Sequence, residues 1–300
     1  MSVPLPPRVQ IREVGPRDGL QGESPTSVGE RVALIEALAV TGVADIEAVA
    51  FVSPRAVPAM AGATEVMAAV SRRPGVRYWA LVPNERGAEL ALASAVDGLS
   101  VTVSASEGYS GKNVGMSMEE SVAEAGRIAA RTDGRVPVDA VISCAFGSPF
   151  ESDISPPAVA ALAQRLLDRG ATSITLADTT GMATPRRIEA VLDETGDKVG
   201  LHLHDTRGTA LVNAYAALQR GIARFDCAVG GLGGSPFAPG AGGNLATEDL
   251  IHLLDDLGVE TGVDLAAVLA VSRQVAALVG HPVPSRVAQS GPGRSGHAVV

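Results

Sequence analysis

Cysteine, aromatic side chains and positive charge are all scarce in this 300-residue sequence, and each shortage closes off a class of protein. The two cysteines, Cys144 and Cys227, form no CxxC pair. A disulfide framework is therefore unsupported, and a reducing, cytoplasmic compartment is the expectation. Five Phe, three Tyr and one Trp leave few platforms for stacked bases. With 24 Lys and Arg against 33 Asp and Glu, the formal net charge is -9. Such a field repels phosphate backbones and anionic headgroups, so neither nucleic acid nor membrane is an expected partner. A small anionic ligand stays compatible, because a local basic site outweighs a global field within a Debye length. No uninterrupted apolar run reaches the roughly 18 residues of a membrane span. The first residues show neither a secretory nor a transit pattern, and the last no peroxisomal tripeptide, which again points to the cytoplasm.

The sequence has 46% apolar and 19% charged residues, the composition of a globular chain, which excludes disorder, collagen and coiled coil. Short β-rich apolar runs alternate with longer segments of helical periodicity, the signature of βα units around a parallel sheet. Strands are predicted at 9–14, 45–51, 77–82, 98–105, 136–145, 173–177, 200–204 and 224–229. Helices are predicted at 28–41, 56–72, 85–95, 117–131, 156–169, 184–195, 208–220 and 246–257, each after its strand. Eight such units in about 250 residues make a (β/α)8 TIM barrel of class α/β. A doubly wound open sheet also alternates β with α but needs no eighth strand. One domain is expected across 1–300: a barrel over about 8–258, then an additional C-terminal helical segment near 263–279 and a Gly/Ser/Pro tail whose last ten residues should be mobile.

Function in such a barrel gathers just after the C-terminal ends of the strands. Those ends carry Arg17, Asp18 and Gln21, Ser104, Cys144, Asp178 and Thr180, His202 and His204, and a glycine-rich stretch over 230–244. His202 and His204 alternate in a strand, so both imidazoles face one side. Alone, His-x-His is equally compatible with a hydrogen-bonded pair of core histidines. Asp18 and Asn244 add oxygen donors from the first and last strand ends, neighbours in a closed barrel, and favour a divalent ion such as Mg2+ or Mn2+ over tetrahedral zinc. Arg17, with Glu47 facing inward from the second strand, offers a fixed guanidinium for an enolate or carboxylate oxygen. Seven of the fifteen residues over 230–244 are glycine. That stretch suits close backbone approach or a lid, and Pro236 breaks any dinucleotide fingerprint. Residues 106–113 are no P-loop, and Lys112 reads as a solvated loop lysine, with contact to a ligand phosphate as the alternative.

Assembled, these residues carry a resemblance. Glu13-Val14-Gly15-Pro16-Arg17-Asp18-Gly19-Leu20-Gln21, Phe51-Val52-Ser53-Pro54, His202-Leu203-His204-Asp205-Thr206 and the glycine stretch ending Gly-Asn-Leu-Ala-Thr-Glu-Asp follow one another in order. Over about 9–287 the chain resembles the 3-hydroxy-3-methylglutaryl-CoA lyases, metal-dependent barrel enzymes. The resemblance implies retro-Claisen-type cleavage of a 3-hydroxy-3-methylglutaryl-CoA-like thioester to acetyl-CoA and acetoacetate. A related lyase or aldolase on another hydroxyacyl-CoA or 2-keto acid, and an impaired acyl-CoA-binding homologue, are the alternatives. By the same resemblance Asp18, His202, His204 and Asn244 are ligands of Mg2+ or Mn2+, and Arg17, Asp18, Glu47, His202 and Ser235 form the catalytic set. Arg17, Gln21, Ser104, Lys112, Asp178 and Thr180 are the expected contacts to an acyl-CoA substrate, and a homodimer is compatible. Ser235 is the departure, since the family carries a cysteine there for proton transfer to the product enolate, and a serine hydroxyl is a far weaker acid.

Overall fold

A computed structural model of the chain describes all residues except 1–3, 152, 235–241 and 292–300. Eight parallel strands close into one barrel in sequence order: β1 (Gln10–Glu13), β2 (Asp45–Ala50), β3 (Arg77–Leu81), β4 (Gly98–Ser104), β5 (Val138–Ser143), β6 (Ser173–Ala177), β7 (Gly200–His202) and β8 (Arg224–Cys227). Closure is made by β1 against β8, with Gln10 opposite Arg224 and Glu13 opposite Cys227. The expected (β/α)8 TIM barrel is therefore the fold. Strands covered on both faces need apolar residues at nearly every position. Ile46, Ala48, Val49 and Ala50 of β2 are accordingly all buried.

The ring of helices comprises α1 (Val28–Ala39), α2 (Ala63–Ala69), α3 (Glu85–Ala93), α4 (Glu107–Asn113), α5 (Met118–Thr132), α6 (Pro156–Asp168), α7 (Pro185–Thr195), α8 (Ala210–Leu218) and α9 (Thr247–Asp256), followed by α10 (Leu265–Val279) and α11 (Arg286–Ser290). Local chemistry starts them. Ser27 with Glu30 and Ser117 with Glu120 form reciprocal capping boxes at α1 and α5, each satisfying two otherwise orphaned backbone donors.

Three details depart from expectation. The helix expected over 56–72 is split into a short turn, Pro58–Met60, and α2, because Gly62 between them takes a left-handed φ of 76°. Residues 107–113, expected as loop, form α4, capped by the Ser106 hydroxyl accepting from the Tyr109 amide at 3.0 Å. In the stretch expected as tail, Asp249 nucleates α11 by accepting from Ser285, Arg286 and Val287. The rest of that tail, where mobility was expected, lies outside the described residues from 292 on. No helix among the described residues is long and apolar enough to cross a membrane.

Candidate active site

At the C-terminal end of the barrel the chain after β1 makes a single π-helical turn over Gly15–Gly19. The amides of Arg17, Asp18 and Gly19 all converge on the Val14 carbonyl, at 3.1, 2.7 and 3.3 Å. That turn aims two consecutive charged side chains at the barrel axis. Arg17 pairs with Glu47 of β2 on one side and with Asp18 on the other, and all three are buried. The planar guanidinium serves both carboxylates at once, a geometry that an ammonium cannot reproduce.

β7 ends at His202, two residues short of the expected strand end, and the chain lifts out of the ladder so that His204 pairs instead with Asn244 in an isolated bridge. Donor atoms of Asp18, His202 and His204 lie within 4.8 Å of one another. The two Nε2 atoms of the histidines face each other at 3.1 Å. Asn244 donates through Nδ2 to Asp18 Oδ2 at 2.6 Å and to the Leu232 carbonyl at 2.8 Å, while its Oδ1 is buried with no partner among the described residues. Two imidazole nitrogens, a carboxylate and an amide oxygen left without a donor form a set that fits a divalent cation. Burial alone would raise the Asp18 carboxyl, but the Arg17 guanidinium and the two imidazoles outweigh it and hold it down at about 2. Burial and the neighbouring imidazole press His204 down to about 4, which keeps it neutral and able to ligate.

Arg17, Asp18, His202 and His204 line one side of a cavity of about 540 Å3. Gln21 joins them, its amide reaching Asp18 Oδ1 at 2.8 Å. An apolar arc from the β2, β3 and α4 segments forms the opposite wall, including Val52, Val57, Leu81, Val82, Val114 and Met116. Ser143 and Thr179 line the space between.

Four expected substrate contacts lie away from that lining. Ser104 accepts from the Ser106 amide at 3.0 Å, and Thr180 donates to the Gly147 carbonyl at 3.1 Å. Asp178 accepts from the Met182 and Ala183 amides at 2.7 and 2.9 Å, and burial lifts its carboxyl to about 7. Lys112 is exposed, with its ammonium 4.1 Å above the Phe150 ring. Ser235 lies outside the described residues. Cys144 is fully buried beside Tyr109 and Phe150, outside the cavity lining, and burial pushes its thiol up to about 12.

Residues 8–275 match the HMGL-like family. The chain belongs to the HMGL-like family. A 3-hydroxy-3-isohexenylglutaryl-CoA/hydroxymethylglutaryl-CoA lyase of Pseudomonas aeruginosa is 43% identical, covering 95% of this chain and 98% of its own length. An (R)-citramalyl-CoA lyase of Chloroflexus aurantiacus is 45% identical, covering 95% of each. The crystal structure of a hydroxymethylglutaryl-CoA lyase from Pseudomonas aeruginosa superposes with a TM-score of 0.90 at 42% identity, covering 95% of this chain and 97% of that one.

Sequence reasoning missed several residues that brace this HMGL-like site. Asp226 of β8 lies 3.3 Å from Nδ1 of His202. Glu248 accepts from the Gly230 amide at 3.0 Å, at the base of the glycine stretch. Thr206 holds the other end, its hydroxyl donating to the Gly242 carbonyl at 2.9 Å. One signal was available for Asp226: Arg224 and Asp226 alternate within a strand that must be covered on both faces, where charge is out of place without a task.

Proposed function

We propose that this HMGL-like chain is a carbon–carbon lyase, dependent on a divalent ion, that cleaves 3-hydroxy-3-methylglutaryl-CoA to acetyl-CoA and acetoacetate. The observation that carries the reading is the Asp18, His202 and His204 cluster in one cavity with Arg17, which Glu47 pairs from behind the cavity wall. Asp18, His202, His204 and Asn244 would hold the ion, Mg2+ or Mn2+ by its donor set, and when bound it supplies Lewis acidity to the substrate oxygens.

The remaining work falls to side chains. The proton of the tertiary hydroxyl passes to Asp18 or His204, since His202 has both ring nitrogens engaged, Nδ1 by Asp226 and Nε2 by the ion it would hold. As the adjacent carbon–carbon bond breaks, its electron pair moves into the thioester as an enolate, and the hydroxyl-bearing carbon becomes the ketone of acetoacetate. Arg17, locked between Glu47 and Asp18, presents a fixed positive charge to the enolate oxygen and needs no reorganisation when that charge develops. Transfer of one proton to the enolate carbon completes acetyl-CoA, a step that the family resemblance places at position 235.

A second reading keeps this machinery and exchanges the substrate for a citramalyl thioester, favoured by the 45% identical relative of that name. Incubation of the Mg2+- or Mn2+-supplemented protein with each thioester separates the two. Acetoacetate from the methylglutaryl thioester is the expected product; pyruvate from the citramalyl thioester with no acetoacetate from the other would replace the first reading by the second.

A further inference from the structure

Beneath the site the barrel interior is ionic. Barrels of this kind usually fill their cores with layers of Val, Ile and Leu. Here Arg12 of β1 grips both oxygens of Asp226, Nε to Oδ1 at 2.9 Å and Nη2 to Oδ2 at 2.7 Å. The same Nη2 reaches Asp139 Oδ2 of β5 at 2.9 Å. Asp139 is held in turn by the hydroxyls of Thr175 at 2.7 Å and Ser173 at 2.5 Å, and by Arg224 at 3.3 Å. Arg12, Asp139 and Asp226 are all buried.

Such a network is weak as a stability device, because well-packed apolar residues of the same volume generally do as well or better. Its upper end suggests another task. Asp226 Oδ2 lies 3.3 Å from His202 Nδ1, on the side of the ring away from Asp18 and His204. We propose that Asp226, clamped by Arg12, is a positioning residue that keeps the His202 proton on Nδ1 and turns Nε2 toward Asp18 and His204. A carboxylate only accepts, so Nδ1 must donate, and the Nε2 lone pair is left for a cation. The two-point grip of Arg12 prevents the carboxylate from rotating away, and Asp139 fixes Arg12. A chain of contacts from β5 through β1 and β8 thus sets one ring on β7. Carboxylates placed behind metal-binding histidines orient the ring and raise its basicity in the same way. The inference rests on the reading of Asp18, His202 and His204 as a cation site.

The test uses the full-length protein and Mn2+ alone as probe. Asp226→Asn should weaken Mn2+ binding by about 10- to 100-fold. The paired variant Arg12→Met with Asp226→Leu removes one charge of each sign and leaves Asp139 with Arg224; it should fold and show the same loss of affinity. Nitrogen-15 spectra of the native protein above neutral pH should show His202 protonated at Nδ1. Native Mn2+ affinity in a folded variant, or the opposite His202 tautomer in the native protein, overturns the role of Asp226 and leaves the cation site standing. A native protein that takes up no Mn2+ overturns both.

Discussion

Glu13, the last residue of β1, accepts a hydrogen bond from the Val229 amide at 2.9 Å and so joins positions 216 residues apart in sequence. The same carboxyl accepts from the Gly15 amide at 2.8 Å and the Thr247 hydroxyl at 2.6 Å. One buried group therefore ties the turn carrying Arg17 and Asp18 to the base of the glycine stretch. Burial pushes this carboxyl from its ordinary 4.5 up to about 7, against the pull of all three hydrogen bonds. The fold thus favours its protonated form. Its contribution is complete below pH 4.5 and is lost as pH rises toward 7, a change of about 3 kcal/mol at most. Asp18 acts in the opposite sense: its stabilisation is present above pH 3.8 and is lost as pH falls toward 2. Urea unfolding at several pH values between 4.5 and 7 should show stability falling as pH rises, and Glu13→Gln should lessen that slope, leaving the share of Asp178, whose carboxyl is lifted by burial into the same range. An unchanged slope in the variant would assign the titration to another group.

Arg17→Lys keeps the charge and loses the planar fork that meets Glu47 and Asp18 together. Steady-state kinetics should show kcat reduced by about 100-fold or more, with the thermal midpoint shifted by only a few degrees. Turnover close to that of the native protein would make Arg17 a structural plug.

His202→Ala should abolish tight Mn2+ binding while leaving the fold intact, since its ring sits at the loop end of the barrel and the apolar mass that stabilises the domain lies elsewhere. Calorimetric titration beside a thermal melt checks both halves. Retained affinity would remove the His-x-His pair from the cation site.

Ser235→Cys restores a group that titrates near 8.5 at the position where the family places its proton donor. If protonation of the enolate limits the rate, kcat rises and KM holds, because substrate binding rests on the cation site, Arg17 and the cavity wall. Brisk turnover by the native protein with no gain in the variant would move the transfer to water or another side chain.

Alkylation of Cys144 by iodoacetamide in the native state should be slower than that of an exposed thiol by orders of magnitude, given its burial and a thiol pushed up to about 12. Rapid labelling without unfolding would reveal an opening of the Tyr109 and Phe150 cluster.

All eight strands were legible because each needs a short apolar run bounded by turn residues, and closure followed from counting to eight. The side chains proposed to hold the cation were legible for a similar reason: Asp18, His202 and Asn244 sit where a barrel strand ends, although strand periodicity stops at His202 and His204 reaches the cluster through its bridge to Asn244. Strand-end position does not reveal where a polar side chain turns. Ser104, Thr180 and Asp178 satisfy nearby backbone groups instead of facing the cavity, a competition that short polar side chains win locally. Asp226 stayed hidden because its meaning depends on Arg12, 214 residues away in sequence and brought close only by closure of the barrel.

Gly243 donates its amide to the Gly233 carbonyl at 2.8 Å, and Asn244 donates to the Leu232 carbonyl at 3.2 Å. Leu232 and Gly233 on one side and Gly243 and Asn244 on the other thus form one hydrogen-bonded neck. Past such a neck, loop length is thermodynamically inexpensive, since each doubling adds only about 0.6 kcal/mol of closure entropy. The neck itself fixes the Asn244 side chain beside Asp18 from the barrel side. The anchor of Asn244 therefore lies in the barrel itself, in the pair of contacts that joins its side chain to Asp18 and to the Leu232 carbonyl.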